Sequence, residues 1–546
     1  MDFVTHHVSH FGVREERSHD CKCRPRRGLR RSILVGYCLA VTWGLTSVAC
    51  GGTIIFSVVD GSGAAVGCRI FLKDAKGKPV RPRGLPFWRD HFCCLGSANV
   101  DVPPGAYSYE IEHGPEFRPT AGAVTVPAKG RGRVAAVLRR LANLPAEGWY
   151  AGDLHIHRPL PDMPVLVLSS DIQIAPVITW WNHRSRRENA PQIGQRAGQG
   201  EIRVGKDHFY DVLAEEDERE GGALLYFGLK EPLPLGHATN EYPSTLYFAT
   251  LARGQAGAWV DIEKPFWWDV PMWLASGKVD SIELANNHMC RAQMYESEAW
   301  GKPRDVHRLP PPNGDGYWSQ EIYYQILNAG LRIPPTAGSA SGVLPNPVGY
   351  NRVYAQLGGE LTPARWWEAV KAGRTFVTNG PLLRVQADGQ WPGHVFSAKN
   401  GNRVSVRLSV RLTSNDPVRA VEVVKNGEVV RTIPVKWNAE TGEAVVSGAD
   451  AGTVDFDASG WFLLRTIVEN PVTFRFASTA PFYVEIGAAP RRISRQSVTF
   501  FRDWVDERIA RIKKSVTDAR QRAEILRDHE AARTYWEKRL SEANAP

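Results

Sequence analysis

The stretch Gly152-Asp153-Leu154-His155-Ile156-His157, directly after Trp149-Tyr150-Ala151, decides how this chain is read. On a strand, residues i, i+2 and i+4 share a face, so Asp153, His155 and His157 point one way while Leu154 and Ile156 pack the other. Residues one pleat apart lie about 6–7 Å from each other along the strand, and imidazole side chains can close that gap onto one cation at roughly 2 Å. Asp153 is better placed to orient a histidine than to bind the same ion. The plainer alternative is a polar strand end with a satisfied histidine pair.

Outward from this motif the texture of the chain changes on both sides. Residues 52–140 read as β-rich: Thr53–Val59 ends at Asp60-Gly61, and a Pro103-Pro104-Gly105 turn enters the alternating run Ala106–Ile111, which suits a small β-sandwich. From Gly148 short apolar runs (Val165–Leu168, Ala175–Thr179, Ala223–Phe227, Trp259–Ile262, Ser281–Ala285) alternate with helix-like segments such as Tyr317–Ala329. That order predicts an α/β barrel or layered sheet. A short helix over Ala364–Ala372 and a strand over Arg374–Thr378 follow. Alternation resumes between about 390 and 488, predicting a second β-sandwich, and residues 491–546 carry Phe500, Trp504, Ile509, Ile512 and Val516 near helical spacing, predicting a C-terminal helical pair. The expected order is a leader over 1–49, an N-terminal β-sandwich over 50–145, an α/β unit over 146–385, a C-terminal β-sandwich over 386–490 and helices over 491–546. A chain of 546 residues accommodates this number of domains.

Composition is that of a globular protein: 43% hydrophobic, 23% charged and 10% aromatic. The formal charge of +9 is weak support for a nucleic-acid partner, because residues 1–49 alone carry eight Lys/Arg against four Asp/Glu. In that segment Arg24, Arg26, Arg27, Arg30 and Arg31 precede the apolar run Ile33–Val48, which closes on Ser47-Val48-Ala49. This is the pattern of an export signal, and the run is shorter than the roughly 20 apolar residues of a membrane span. The expected location is periplasmic or extracellular, with Cys50 as a lipid-anchor alternative. Of eight cysteines, Cys68 with Cys93 or Cys94 is the expected disulfide pair. No Cys-x-x-Cys spacing offers a cysteine zinc site. Dinucleotide, Walker, Gly-x-Ser-x-Gly and His-Glu-x-x-His motifs are absent from the sequence.

Gly152–His157 resembles the first motif of the PHP (polymerase and histidinol phosphatase) superfamily, and the course from there to Pro381 resembles the CehA/McbA group of PHP-like metallohydrolases. Val279–Leu284, Gly330–Gly342 and Gly373–Pro381 carry the later part of the likeness. The resemblance implies a distorted (β/α)7 barrel holding up to three divalent ions, flanked by β domains. The chain also departs from that pattern. Thr179-Trp180-Trp181 stands for Thr-Asp-His, Glu263-Lys264-Pro265 for a segment with His-Pro, and Gly338-Ser339-Ala340-Ser341-Gly342 for Gly-Ser-Asp-Ser-His. A full trinuclear site cannot be assembled at those positions.

The remaining candidates are His155 and His157 with Glu218, Glu263 and His288 as metal ligands, and Lys264 and Asp153 as catalytic residues. Glu218 lies where the resemblance implies a bridging glutamate, although the register among Glu215, Glu216, Asp217, Glu218 and Glu220 is open, and a solvated acidic turn is the alternative. Glu263, at a strand end, has either a ligand role or a salt bridge to Lys264. His288 follows the strand Ser281–Ala285, at the end where barrel sites form. His183 is a weaker candidate, and His208, His237 and His307 are weaker still. Lys264 could supply the charge of a lost cation or polarise a substrate oxygen. Trp180, Trp181, Trp267 and Trp268 either fill the core or form stacking faces around a polar site.

Two functions follow as expectations. The first is an exported hydrolase with one or two Zn²⁺, Mn²⁺ or Fe²⁺ ions, acting on an ester, carbamate, amide or phosphoester. The second is a non-catalytic glycan- or ligand-binding protein on a degenerate barrel. The expected partner is a small molecule or glycan, with no nucleic acid and no stable membrane span.

Overall fold

Alternating burial shapes the first strands: Ser97–Val102 and Arg131–Leu138 bury every second residue, as strands with one wet face do. They flank Gly52–Asp60 in a three-stranded sheet, antiparallel on one side and parallel on the other. A second sheet runs in the order Phe87–Trp88, His91–Leu95, Gly67–Asp74, Gly105–Glu112, Thr120–Val126. Ile54, Phe56 and Val100 from the first sheet share one core with Ile70, Leu72, Phe92 and Ile111 from the second. The computed structural model describes residues 51–128, 130–183, 186–188, 200–399, 401–446, 451–487 and 491–546. The expected leader over 1–49, the Cys50 anchor and the side chain of His183 lie outside the described residues.

Cys68 and Cys94 are direct cross-strand partners in this N-terminal region, with their sulfurs 3.6 Å apart and both present as buried thiols. Cys93 points the other way, into a cluster with Leu166 and Val167 of the helix Met163–Ser170.

A large mixed sheet occupies the middle of the chain. Its pairing runs Thr375–Thr378, Arg352–Gln356, Trp149–Gly152, Ile174–His183, His208–Arg219, Gly222–Phe227, Trp259–Ile262, Ser281–Ala285, Pro335–Ala337. Parallel and antiparallel pairs are interspersed, and helices Thr245–Arg253, Val270–Ser276 and Gly314–Asn328 fall between strands in sequence. The run Val165–Leu168, read from sequence among the strand-like segments, is helical within Met163–Ser170. Its apolar residues surround the helix instead of following one stripe, so its periodicity is indistinguishable from that of a buried strand; Pro164 in the first turn is the helix signal.

Thr375–Thr378 also pairs with Arg475–Thr479, so backbone hydrogen bonds join the mixed sheet to the C-terminal β region. That region has its own core, built from residues such as Leu383, Val385, Val406, Leu408, Phe462 and Phe482. The C-terminal helices Arg495–Ser515 and Ala519–Ser541 start at Ser494 and Asp518, whose side chains accept from the backbone N–H of Ser497 and Gln521. Trp504 and Trp536 from these helices are fully buried in the same cluster as the mixed sheet. No helix among the described residues is long and apolar enough to cross a membrane.

Candidate metal centre

Residues 153–157 continue the Trp149–Gly152 strand and lie between two neighbours. On one side Asp153 N donates to Ile174 O at 3.1 Å and Ile178 N to Ile156 O at 2.8 Å. On the other, Leu154 N donates to Ala337 O at 3.0 Å and His157 N to Ser341 O at 2.8 Å. Leu154 and Ile156 are fully buried in apolar clusters, so the alternation turns His155 and His157 to the opposite side.

There the two Nε2 atoms stand 3.1 Å apart, and Glu216 Oε2 lies 3.0 Å from His157 Nε2 and 3.6 Å from His155 Nε2. Three ligands at the 2.0–2.1 Å typical of zinc with nitrogen and oxygen donors would form a triangle with edges of about 3.3 Å, so these atoms already stand near the spacing a bound ion needs. A second group shares His155: its Nδ1 is 3.7 Å from Glu263 Oε1 and 3.6 Å from Glu283 Oε2. Both groups could hold a metal ion. His155 Nδ1, Glu216 Oε2 and both Glu283 oxygens are buried without a well-formed hydrogen bond among the described residues, an expensive arrangement unless a cation or proton fills the space.

The electrostatics agree with a cation site. Burial would lower the His155 imidazole, but the Glu216 and Glu283 carboxylates around it hold it well above the ordinary histidine range. Burial lowers His157, against the pull of Glu216. Glu216 is itself held well below the usual carboxylate range, because the two imidazoles outweigh its burial.

Two glycines make room for this packing. A Cβ on Gly338 would stand 2.1 Å from Glu283 Oε1 and 2.3 Å from His155 Cβ, and one on Gly342, at φ +105°, would stand 2.4 Å from His157 O. The segment that lacks the expected acid and histidine at Ala340 and Gly342 thus serves as a close-packed floor.

Asp153 is buried and accepts from Ser339 Oγ at 2.6 Å, Gly349 N at 2.6 Å, Ser339 N at 2.9 Å and His155 N at 3.2 Å. It ties the backbone of three segments together and does not meet an imidazole ring through any of these bonds. Glu283 occupies the place beside His155 Nδ1 that the sequence reading reserved for Asp153.

Residues 215–218 of the acidic run are not a turn, and only Glu220 lies in one; they sit on the strand His208–Arg219, with Glu216 and Glu218 on one face and Glu215, Asp217 and Arg219 on the other. Register places Glu216 beside the imidazoles, whereas Glu218 accepts from Trp181 Nε1 at 3.1 Å and belongs to neither ligand group. Burial and the neighbouring Glu216 raise Glu218 well above the usual carboxylate range.

Glu263 makes the salt bridge to Lys264 that its sequence position allowed, and it also stands in a group that could hold an ion. It belongs to the second ligand group, yet Oε1 receives the Lys264 ammonium and Asn287 Nδ2, the latter at 2.6 Å, while Oε2 accepts from Trp267 Nε1 at 2.7 Å. His288 is in neither group; its Nδ1 faces Asp315 Oδ2 at 3.7 Å. Burial and the Lys264 charge lower His288 to about 3, and burial pushes Asp315 up to about 8. His208 pairs with Asp171 at 3.3 Å, and His237 and His307 are exposed. Trp267 is fully buried and Trp268 nearly so, with its Nε1 bonded to Trp300 O, so neither presents a stacking face. Trp181 remains partly exposed, its ring 5.0 Å from that of His157.

Two sizeable cavities lie elsewhere among the described residues. One of about 600 Å³ is lined by Glu147, Arg384 and Arg411, and one of about 590 Å³ by Phe209, Trp259 and Trp367.

No family model matches the chain. A search of curated proteins also finds no match. Among solved structures, one comparison is with the N-terminal four Ig domains of Dscam1 isoform 4.4, at 9% identity over 80% of this chain and 100% of that one, with a TM-score of 0.12. A likeness of that size carries no argument about fold or function.

Proposed function

We propose that this chain is an exported, metal-dependent hydrolase of the PHP-like CehA/McbA type, with its ion at His155, His157 and Glu216. The observation that carries this reading is the triangle of His155 Nε2, His157 Nε2 and Glu216 Oε2, with edges of 3.1, 3.0 and 3.6 Å inside a buried site. His155, His157 and Glu216 would hold a divalent ion, which would supply a water acidified to near neutrality and a Lewis acid for a carbonyl or phosphoryl group. We read the mixed sheet as the distorted (β/α)7 barrel of that group, supported by the backbone bonds that set residues 153–157 between Ile174–His183 and Ala337–Ser341.

In this reading the chain's own groups handle charge and protons. Lys264, buried beside Glu263, supplies positive charge next to the reacting group. Glu218, whose carboxyl is raised well above the usual carboxylate range by burial and the neighbouring Glu216, is the candidate donor of a proton to a leaving group. The glycan-binding alternative loses support from the burial of Trp267 and Trp268.

The decisive experiment is His155→Ala with His157→Ala. We expect the double variant to lose metal binding and any hydrolysis of ester, carbamate or phosphoester substrates. The N- and C-terminal β cores, which share no residues with this site, should remain folded. Unchanged metal content would refute the assignment. Lys264→Met should lower turnover by roughly 100–1,000-fold, the usual loss for one group that stabilises developing charge; unchanged turnover would make the lysine purely structural. Export is tested by intact mass, which should show a mature chain beginning near Cys50, and retention of the segment before it would overturn that part of the proposal.

A further inference from the structure

The two ligand groups share one imidazole, His155, which enters the first through Nε2 and the second through Nδ1. A neutral imidazole has one lone-pair nitrogen and one N–H, so it can ligate only one ion unless its last ring proton is also removed. Glu263, the second group's other carboxylate, is already occupied: ammonium and amide donors meet Oε1 and an indole N–H meets Oε2. An ion on Glu263 Oε1 would have to share that oxygen with the Lys264 cation. Glu283 is different, because it is fully buried and neither of its oxygens has a hydrogen-bond partner among the described residues.

We infer that the centre is mononuclear, with Glu283 acting as a positioning carboxylate that accepts the His155 Nδ1–H while Nε2 faces the ion. This rests on the metal-site reading above and adds the number of ions and the role of the second group. The Nδ1 to Oε2 separation of 3.6 Å needs to close by only a few tenths of an ångström to become a hydrogen bond. Metal-bound histidines are commonly held in this way, the outer carboxylate fixing the tautomer and ring orientation. Lys264 then neutralises Glu263, so the second group needs no cation of its own.

The test is metal stoichiometry of the full mature chain with Mn²⁺ and Zn²⁺, in wild type and Glu283→Gln. Wild type should bind one equivalent, and its Mn²⁺ electron paramagnetic resonance should be that of an isolated ion. Glu283→Gln keeps the shape and an acceptor oxygen, so it should still bind one equivalent, about 10–100-fold more weakly. In the Zn²⁺ form, proton NMR should show a downfield His155 Nδ1–H resonance that moves upfield in Glu283→Gln, a change a merely structural role would not produce. Two equivalents, an exchange-coupled Mn²⁺ spectrum, or a Glu283→Gln variant that binds one ion fewer than wild type would overturn the inference and leave the hydrolase reading standing. A wild-type chain that binds no ion would overturn both.

Discussion

Glu216→Gln should abolish tight metal binding while Glu218→Gln, two residues away on the same strand face, should retain it. Glu216 Oε2 is the atom within 3.0 Å of His157 Nε2 and 3.6 Å of His155 Nε2, whereas Glu218 meets the indole of Trp181. Glutamine preserves the volume but replaces an anionic ligand by a neutral amide oxygen in a largely buried site. The loss should therefore exceed the roughly 10–100-fold typical of changes one shell further out. Thermal unfolding gives a readout independent of any substrate. Metal at 100 times its dissociation constant stabilises the wild type by about 2.7 kcal/mol, which should appear as a rise in Tm that Glu216→Gln lacks and Glu218→Gln keeps. The reverse pattern would mean that the ligand position belongs to Glu218 and that the strand register described above is wrong.

The contrast between these acids shows where sequence reading stops. The pairing of His155 with His157 is local, because alternation with Leu154 and Ile156 fixes the shared face whatever lies alongside. The choice among Glu215, Glu216, Asp217 and Glu218 is not local. It depends on how the strand aligns with its neighbours, Trp181 opposite Glu216 on one side and Leu225 on the other, and a slip of one residue inverts every face. Glu283 had a readable signal, since Ser281-Ile282-Glu283-Leu284 alternates as residues 153–157 do, but a lone carboxylate on a strand names no partner. Asp153 carried the opposite problem: its place in the motif suggested a ring partner, and its four acceptor contacts are with Ser339, Gly349 and the backbone of His155. The stripe from Phe500 to Val516 did announce a helix. Its packing on the following helix is local in sequence, as where Phe501 stacks on Trp536, but the buried ion cluster it joins depends on Asp269, which lies far earlier in the chain.

That cluster should make Arg508→Met one of the most destabilising single changes outside the metal centre. Arg508 is 1% exposed; its Nε donates to Asp269 Oδ1 at 2.7 Å and its two terminal nitrogens to Glu241 at 3.1 and 2.6 Å. His529, from the last helix, places Nε2 3.2 Å from the same Asp269 oxygen, and Thr245 Oγ1 meets Oδ2 at 3.4 Å. Methionine fills much of the space but leaves the Asp269 and Glu241 carboxylates without their shared cation. Breaking a buried pair in this way costs about 3–5 kcal/mol. Because both C-terminal helices meet at Asp269, the loss should show first as loosening of residues 495–541, measurable by hydrogen exchange. The pH dependence has a defined sign. Arg508 and His529 outweigh the burial of Asp269 and hold its carboxyl below the unfolded-state value of about 3.9, so the stabilisation is complete above that pH and is lost as pH falls through the folded-state value. Urea unfolding should thus show the full gap between wild type and Arg508→Met at pH 7 and a smaller one at pH 3, where the variant no longer carries unpaired buried charge. A gap below about 1 kcal/mol at pH 7, the range of an exposed ion pair, would mean that water reaches this cluster and that the helices are held chiefly by apolar packing, Phe501, Trp504 and Trp536 included.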